Sequence, residues 1–136
     1  MITLTGAISL AASGQKFEAS KVPGAVKISF AQKFPNAIVK WEKENDKYEA
    51  NFKQGTNIMS ALFDANGTMT ESEIAIKIID LPANVLSYVK EHYNGKTIKE
   101  GAKITRADGT INFEAEVERN DLLFDVKGNF LKISKD

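Results

Sequence analysis

The chain has 136 residues, with eighteen Lys and Arg balancing eighteen Asp and Glu, and no cysteine. Its neutrality gives no electrostatic footprint for nucleic acid or an anionic membrane, and disulfides, thiolate zinc sites and cysteine nucleophiles are excluded. The length suits one domain, or two half-sized units of about 60 residues that are each marginal alone and are expected to pack as one cooperative body.

Met1 to Gln15 carries no charge, and Lys16 is the first charged residue. Ile8-Ser9-Leu10-Ala11-Ala12-Ser13-Gly14 has the form of a secretory apolar region running into a small-residue cleavage site. Ala11 with Ser13, or Ala12 with Gly14, supplies the small-x-small pair, whereas the basic start of such a signal is missing. Residues 1–15 are therefore read as a signal-peptide remnant or an N-terminal tail, the alternative being a first strand of the fold. No stretch approaches the ~20 apolar residues that span a bilayer.

Ser20 or Lys21 is expected to open a first helix with Pro23 in its first turn. Val22, Val26, Phe30 and Phe34 form its apolar stripe at i, i+4 spacing, and Pro35 ends it. Strands are predicted at Ala37 to Glu44, Lys47 to Lys53, Asn57 to Phe63 and Thr68 to Ile78. The second of these alternates Tyr48, Ala50, Phe52 against Glu49, Asn51, Lys53 with period two. Asn66-Gly67 is the strongest hairpin signal in the chain. Asp80 is placed as a cap for a second helix from about Leu81 to Tyr93. Strands follow at Thr97 to Thr105, Ile111 to Arg119, Leu122 to Val126 and Phe130 to Ser134, with turns at Asp108-Gly109, Asn120-Asp121 and Lys127-Gly128-Asn129.

The two halves repeat each other. Val22, Pro23, Val26, Phe30 and Phe34 return 59 residues later as Leu81, Pro82, Val85, Val89 and Tyr93. Tyr48-Glu49-Ala50-Asn51-Phe52 is echoed by Phe113-Glu114-Ala115-Glu116-Val117, and Phe63-Asp64-Ala65-Asn66-Gly67 by Phe124-Asp125-Val126-Lys127-Gly128. A duplicated unit follows, with residues 16–79 as the first repeat and 80–136 as the second. The fold class is α+β: two tandem α-β-β-β-β units forming one antiparallel sheet of about eight strands with both helices on one face. One apolar face per strand implies that the other face is open to water.

Candidate chemistry is sparse. His92, the single histidine, falls near a helix C-terminus, where a cation suits the dipole. Asp64, Asn66, Gly67 and Glu73 match positions 3, 5, 6 and 12 of a calcium loop, but position 1 is Leu62 and the stretch is a predicted turn; no metal site is assigned. Glu114, Glu116 and Glu118 line one strand side and read as a solvated face, as do Glu42 with Glu44 and Glu71 with Glu73. No phosphate loop, nucleophile elbow or His-Glu-x-x-His motif is present, so no catalytic residue and no cofactor is assigned. The candidate binding residues are Trp41 and Tyr48, large aromatics of the kind that dominate interfaces when exposed. The alternative puts Trp41, Tyr48 and Phe52 in the core, leaving Lys40, Glu42, Glu49, Asn51 and Lys53 as an outward surface of mixed charge.

Val22-Pro23-x-Ala25-Val26, Lys33-Phe34-Pro35-Asn36-Ala37, Trp41-Glu42-Lys43-Glu44, Tyr48-Glu49-Ala50-x-Phe52 and Phe63-Asp64-Ala65-Asn66-Gly67 resemble the PepSY-like family of small bacterial periplasmic proteins. The second half keeps Leu81-Pro82, Phe113-Glu114-Ala115, Asp125 and Gly128, but has Lys99-Glu100-Gly101 in place of the Trp-Glu-Lys signature. The resemblance implies a fold like that of the β-lactamase inhibitor protein and export to the periplasm or cell surface. It carries no catalytic residues. The expected function is a non-enzymatic exported module that presents its open sheet face to a protein or peptide partner, as a monomer or weak homodimer. The alternative is a carrier of a small or envelope-derived ligand with a pocket between sheet and helices.

Overall fold

The computed structural model describes residues 15–135. They form β1 (Gln15–Phe17), α1 (Gly24–Lys33), β2 (Val39–Glu44), β3 (Lys47–Gln54), β4 (Asn57–Phe63), β5 (Met69–Ile76), α2 (Ala83–His92), β6 (Glu100–Arg106), β7 (Ile111–Val117), β8 (Asn120–Asp125) and β9 (Phe130–Lys135). The strands make one antiparallel sheet in the order of the chain, from β1 to β9. The eight expected strands are joined by β1, which pairs with the edge of β2 and sets Phe17 opposite Trp41. The signal-like stretch of residues 1–14 lies outside the described residues.

Both helices begin two to four residues later than expected. Val22 and Leu81 each precede a proline, which drives them into extended backbone (φ −78°, ψ 130° and φ −68°, ψ 149°). Ser20, Lys21 and Asp80 therefore sit in short 3-10 turns, Ala19–Lys21 and Ile78–Asp80. Pro23 and Pro82 occupy the cap positions, and Asp80 does not cap α2. Each helix then runs for ten residues and buries an i, i+4 pair, Val26 with Phe30 and Val85 with Val89.

Each helix covers its own apolar cluster. Val26 and Phe30 of α1 cluster with Val22, Trp41, Ala50, Phe52, Ala61 and Phe63. The Phe30 ring meets Phe52 edge-on at 4.9 Å and Trp41 at 5.5 Å, a geometry that adds to area burial. Beneath α2 the cluster is more aliphatic: Leu81, Val85, Val89, Ile98, Ala115, Val117, Leu122 and Phe124. The helix-side core is thus two clusters. They are joined by β5 and β6, which register residues 71–76 against 106–101.

The register explains why the second half has no tryptophan. Trp41 pairs with Ala50, and Gly101 pairs with Ala115, the repeat equivalent of Ala50. A Cβ on Gly101 would lie 3.2–3.4 Å from three Leu81 side-chain carbons, so Leu81 fills the volume that Trp41 fills in the first unit.

The hairpin turn expected at Asn66-Gly67 is present, whereas the turn expected at Asn120-Asp121 is shifted. Between β4 and β5, Gly67 N–H donates to the Asp64 carbonyl at 2.9 Å, and only Gly67 has positive φ (92°). This is a type I turn closed by a glycine bulge, the three-residue alternative to the type I′ turn. Between β7 and β8 the turn is Glu118-Arg119, both left-handed (φ 52° and 70°), and Asn120 and Asp121 already belong to β8. Glu118 thus leaves the strand and pairs with Lys96 at 3.3 Å.

Trp41→Ala should lower unfolding free energy by about 3–5 kcal/mol in a urea titration, the usual cost of truncating a large core aromatic. Arg119→Gly should raise it by about 1 kcal/mol, because glycine relieves the left-handed penalty.

Candidate functional site

Strand alternation divides the sheet into a helix side and a far side. On the far side, register aligns Glu42 with Glu49, Asn51 with Ser60, Leu62 with Glu71, Ser60 with Glu73, Glu73 with Ile104, and Glu114 with Leu123. This face was expected to be open and solvated, and its centre is not. Glu42, Glu49, Ser60, Glu71, Glu73, Asn112, Glu114 and Asp121 are all buried, with Glu73 only 1% exposed. Leu62, Ile104 and Leu123 are buried among them. Period-two patterning shows which side a residue points to, but burial there depends on side chains from neighbouring strands.

The sequence candidates separate accordingly. Trp41 is 5% exposed and belongs to the core under α1. Tyr48 is half-buried against that core, with the Lys43 ammonium 4.8 Å from its ring centre. Lys40 and Lys53 are exposed, and Asn51 is half-buried. Asn51 donates through Nδ2 to Glu42 Oε2 at 2.6 Å. Of the proposed outward surface, Glu42 and Glu49 are therefore floor and Lys40 and Lys53 are rim.

The residues that sequence reasoning assigned to solvent are the chemically unusual ones. Burial, reinforced by Glu44 and Glu42, pushes Glu49 up to about 8 despite an opposing hydrogen bond from Asn51. Burial raises Glu71 to about 7, against the pull of Arg106, whose Nε lies 3.4 Å from Glu71 Oε1. Glu73 is raised well above the ordinary carboxylate range, first by burial and then by Glu114, Glu71, Glu49 and Asp121. Neither Glu73 oxygen has a hydrogen-bond partner, nor does Glu71 Oε2. These two side chains, with Glu44, Glu49, Ser60 and Leu62, line a cleft of about 10 Å³. Placing β5 against β4 and β6 in register is the step that would have revealed this grouping from sequence.

The other motifs resolve into local structure. Asp64 pairs with Lys47, and Asn66 Oδ1 accepts the Thr68 N–H at 3.0 Å. Glu73 lies on the far face of β5, so the residues of the calcium template serve a turn and a strand. Among the described residues, no three acidic or histidine side chains are placed to hold a metal ion. His92 ends α2, exposed, with Nδ1 3.0 Å from the Tyr88 carbonyl and its ring stacked on Tyr88 at 4.0 Å.

A carboxyl group whose pKa is raised on folding stabilises the fold fully below its unfolded value, near 4.5, and loses that contribution as pH rises through the folded value. With Glu49 near 8 and Glu71 near 7, stability should be highest near pH 5 and should fall by pH 8–9. Each carboxyl contributes a slope of about 1.4 kcal/mol per pH unit between the two values. Thermal melts across this range should show the decline, and Glu73→Gln should reduce it. A melting temperature that climbs from pH 5 to pH 8 would rule out protonated carboxyls.

No curated protein matches the chain at a significant level. Among solved structures, a Bacteroides eggerthii protein described as "putative periplasmic" superposes with a TM-score of 0.75 at 15% identity, covering 84% of this chain and 88% of that one. A DUF2874 family protein of Bacteroides uniformis gives 0.73 at 16% identity, over 83% and 88%. A BLIP-like protein of Bacteroides fragilis gives 0.66 at 25% identity, over 83% and 86%. The family described as "Putative beta-lactamase-inhibitor-like, PepSY-like" matches twice, over residues 10–70 and 46–132. With a match to each repeat and this shared fold, the chain belongs to the PepSY-like family.

Proposed function

We propose that the protein is a non-enzymatic exported binding module that meets a protein or peptide partner with the far face of its sheet. The observation carrying this reading is the far face itself, an acidic floor with unpartnered buried oxygens inside a rim that includes Lys40 and Lys53. Buried polar groups without partners are costly, and a docking partner that supplies donors removes that cost. Asn51 on the half-buried margin completes the polar set. The kinship with periplasmic and BLIP-like proteins supports export and an inhibitor-like mode of action. The size of the acidic cleft favours binding over catalysis, since about 10 Å³ holds no substrate ring. Pairing of β5 with β6 makes the far face one continuous surface across the proposed units of residues 16–79 and 80–136.

A second reading has its own observation. A groove of about 320 Å³, lined by Ile58, Ile76, Ile78, Lys99 and Gly101 among others, lies where the two units join. It is large enough for a small ligand, and it supports the carrier alternative at the junction of the units.

Photo-crosslinking distinguishes the two. A benzophenone label at position 53 on the far-face rim, and another at position 32 on the exposed side of α1, are incubated with bacterial envelope extract. A protein adduct from position 53 alone, lost when Lys40 is changed to Glu, is the expected result. Equal labelling from both positions, or an adduct indifferent to the charge reversal, would refute far-face docking. A small molecule recovered with the protein and no adduct would favour the groove.

A further inference from the structure

Glu71 Oε2, Glu73 Oε1 and Glu73 Oε2 are buried acceptors without a hydrogen-bond partner. Their side chains line the same cleft, whose volume of about 10 Å³ is that needed by a single water-sized group. A primary ammonium has that size and carries three N–H donors and no acceptor. A guanidinium is a planar fork with five donors and does not fit the space. A water brings only two donors and no charge.

We propose that this cleft is a receptor for a primary ammonium group, supplied by a lysine side chain of the protein partner. The proposal rests on the far face being the docking surface. Glu73 is 1% exposed, so an ammonium on it is shielded from water and gains more from the ion pair than a surface lysine would. Arg106 engages Glu71 through Oε1 and leaves Oε2 to the ligand. Two carboxylates suffice for an ammonium, whereas a metal would need a fuller shell.

The charge around the cleft makes binding proton-linked. Facing it are Glu42 and Glu44 from β2, Glu49 from β3, Glu71 from β5, Arg106 from β6, Glu114 from β7, Asp121 from β8 and Lys132 from β9. The acidic groups outnumber the cations, and burial raises the proton affinity of the central carboxyls while the cleft is empty. An entering ammonium ionises them, so each proton released makes affinity rise about tenfold per pH unit below the folded pKa. The lysine itself, near pKa 10.4, stays charged throughout.

The test is an NMR titration of the full chain with the peptide Ac-Gly-Lys-Gly-NH2, following the backbone amides of Glu49, Glu71 and Glu73 at pH 6 and pH 8. Peptides with arginine or norleucine in place of lysine, and n-butylammonium chloride, are run alongside. The expected result is saturable shifts with the lysine peptide, at least about tenfold tighter at pH 8, and none with arginine or norleucine. Glu73→Gln should lose the shifts while melting at no lower temperature, and Glu71→Gln serves as the second variant if the first misfolds. Response to n-butylammonium but not to the lysine peptide would overturn a partner's lysine as the source. Response to neither, or binding unchanged in both variants, would overturn the cleft. If the far-face crosslink of the preceding section forms equally with Glu73→Gln, the ammonium cleft is refuted and far-face docking stands.

Discussion

The pairing of β5 with β6 is the constraint on which both units depend. Each unit has a helix and its own apolar cluster, but about 60 residues bury too little surface for comfortable stability. The helix side does little to join them, because at the seam it registers Ser72 with Thr105 and Ile74 with Lys103. What joins them is the backbone ladder and the Glu71–Arg106 ion pair on the far side. The ladder also removes the two sheet edges that separate units would leave open to promiscuous pairing.

The far face inverts the usual economy of an antiparallel sheet. One side is packed under helices, and the other would ordinarily carry its charges in water. Here carboxyl groups from β2, β3, β5, β7 and β8 share the interior with Leu62, Ile104 and Leu123. An ionised carboxylate in such surroundings costs far more than a neutral acid, so the fold favours protons on carboxyls that the unfolded chain gives up near pH 4.5. Natural proteins break local rules chiefly where function needs it, and this face breaks the rule repeatedly across both repeats.

The sequence revealed the architecture well because the signals were local and doubled. Proline followed by apolar residues at four-residue spacing marks both helices, and strict alternation marks β3 and β7. Repetition reinforced each signal. The failures were of two kinds. Helix starts and the β7–β8 turn were misplaced because the restriction before Pro23 and Pro82, and the left-handed pair Glu118-Arg119, override propensity. The far face was misread because Glu73 looks solvated along its own strand, whereas in the sheet it lies between Ser60 of β4 and Ile104 of β6, within the field of Glu49, Glu114 and Asp121 from more distant strands. Periodicity within a strand cannot report what lies two strands away.

The turn glycines have a consequence for how the chain comes together in time. A Cβ on Gly67 would lie 2.6 Å from the Ala25 carbonyl oxygen, and one on Gly128 would lie 2.9 Å from the Asn84 Cβ. In each unit the last hairpin is thus seated on the first turn of its helix, across roughly forty residues. Emerging from a ribosome or a translocation channel N-terminus first, α1 gains this contact only after the β4–β5 turn has followed it out. Only then does the first unit close, while the second is still being delivered, and the free edge of β5 stands ready as a template for β6. Vectorial delivery thereby sets the order of assembly, one repeat nucleating the next along a growing sheet.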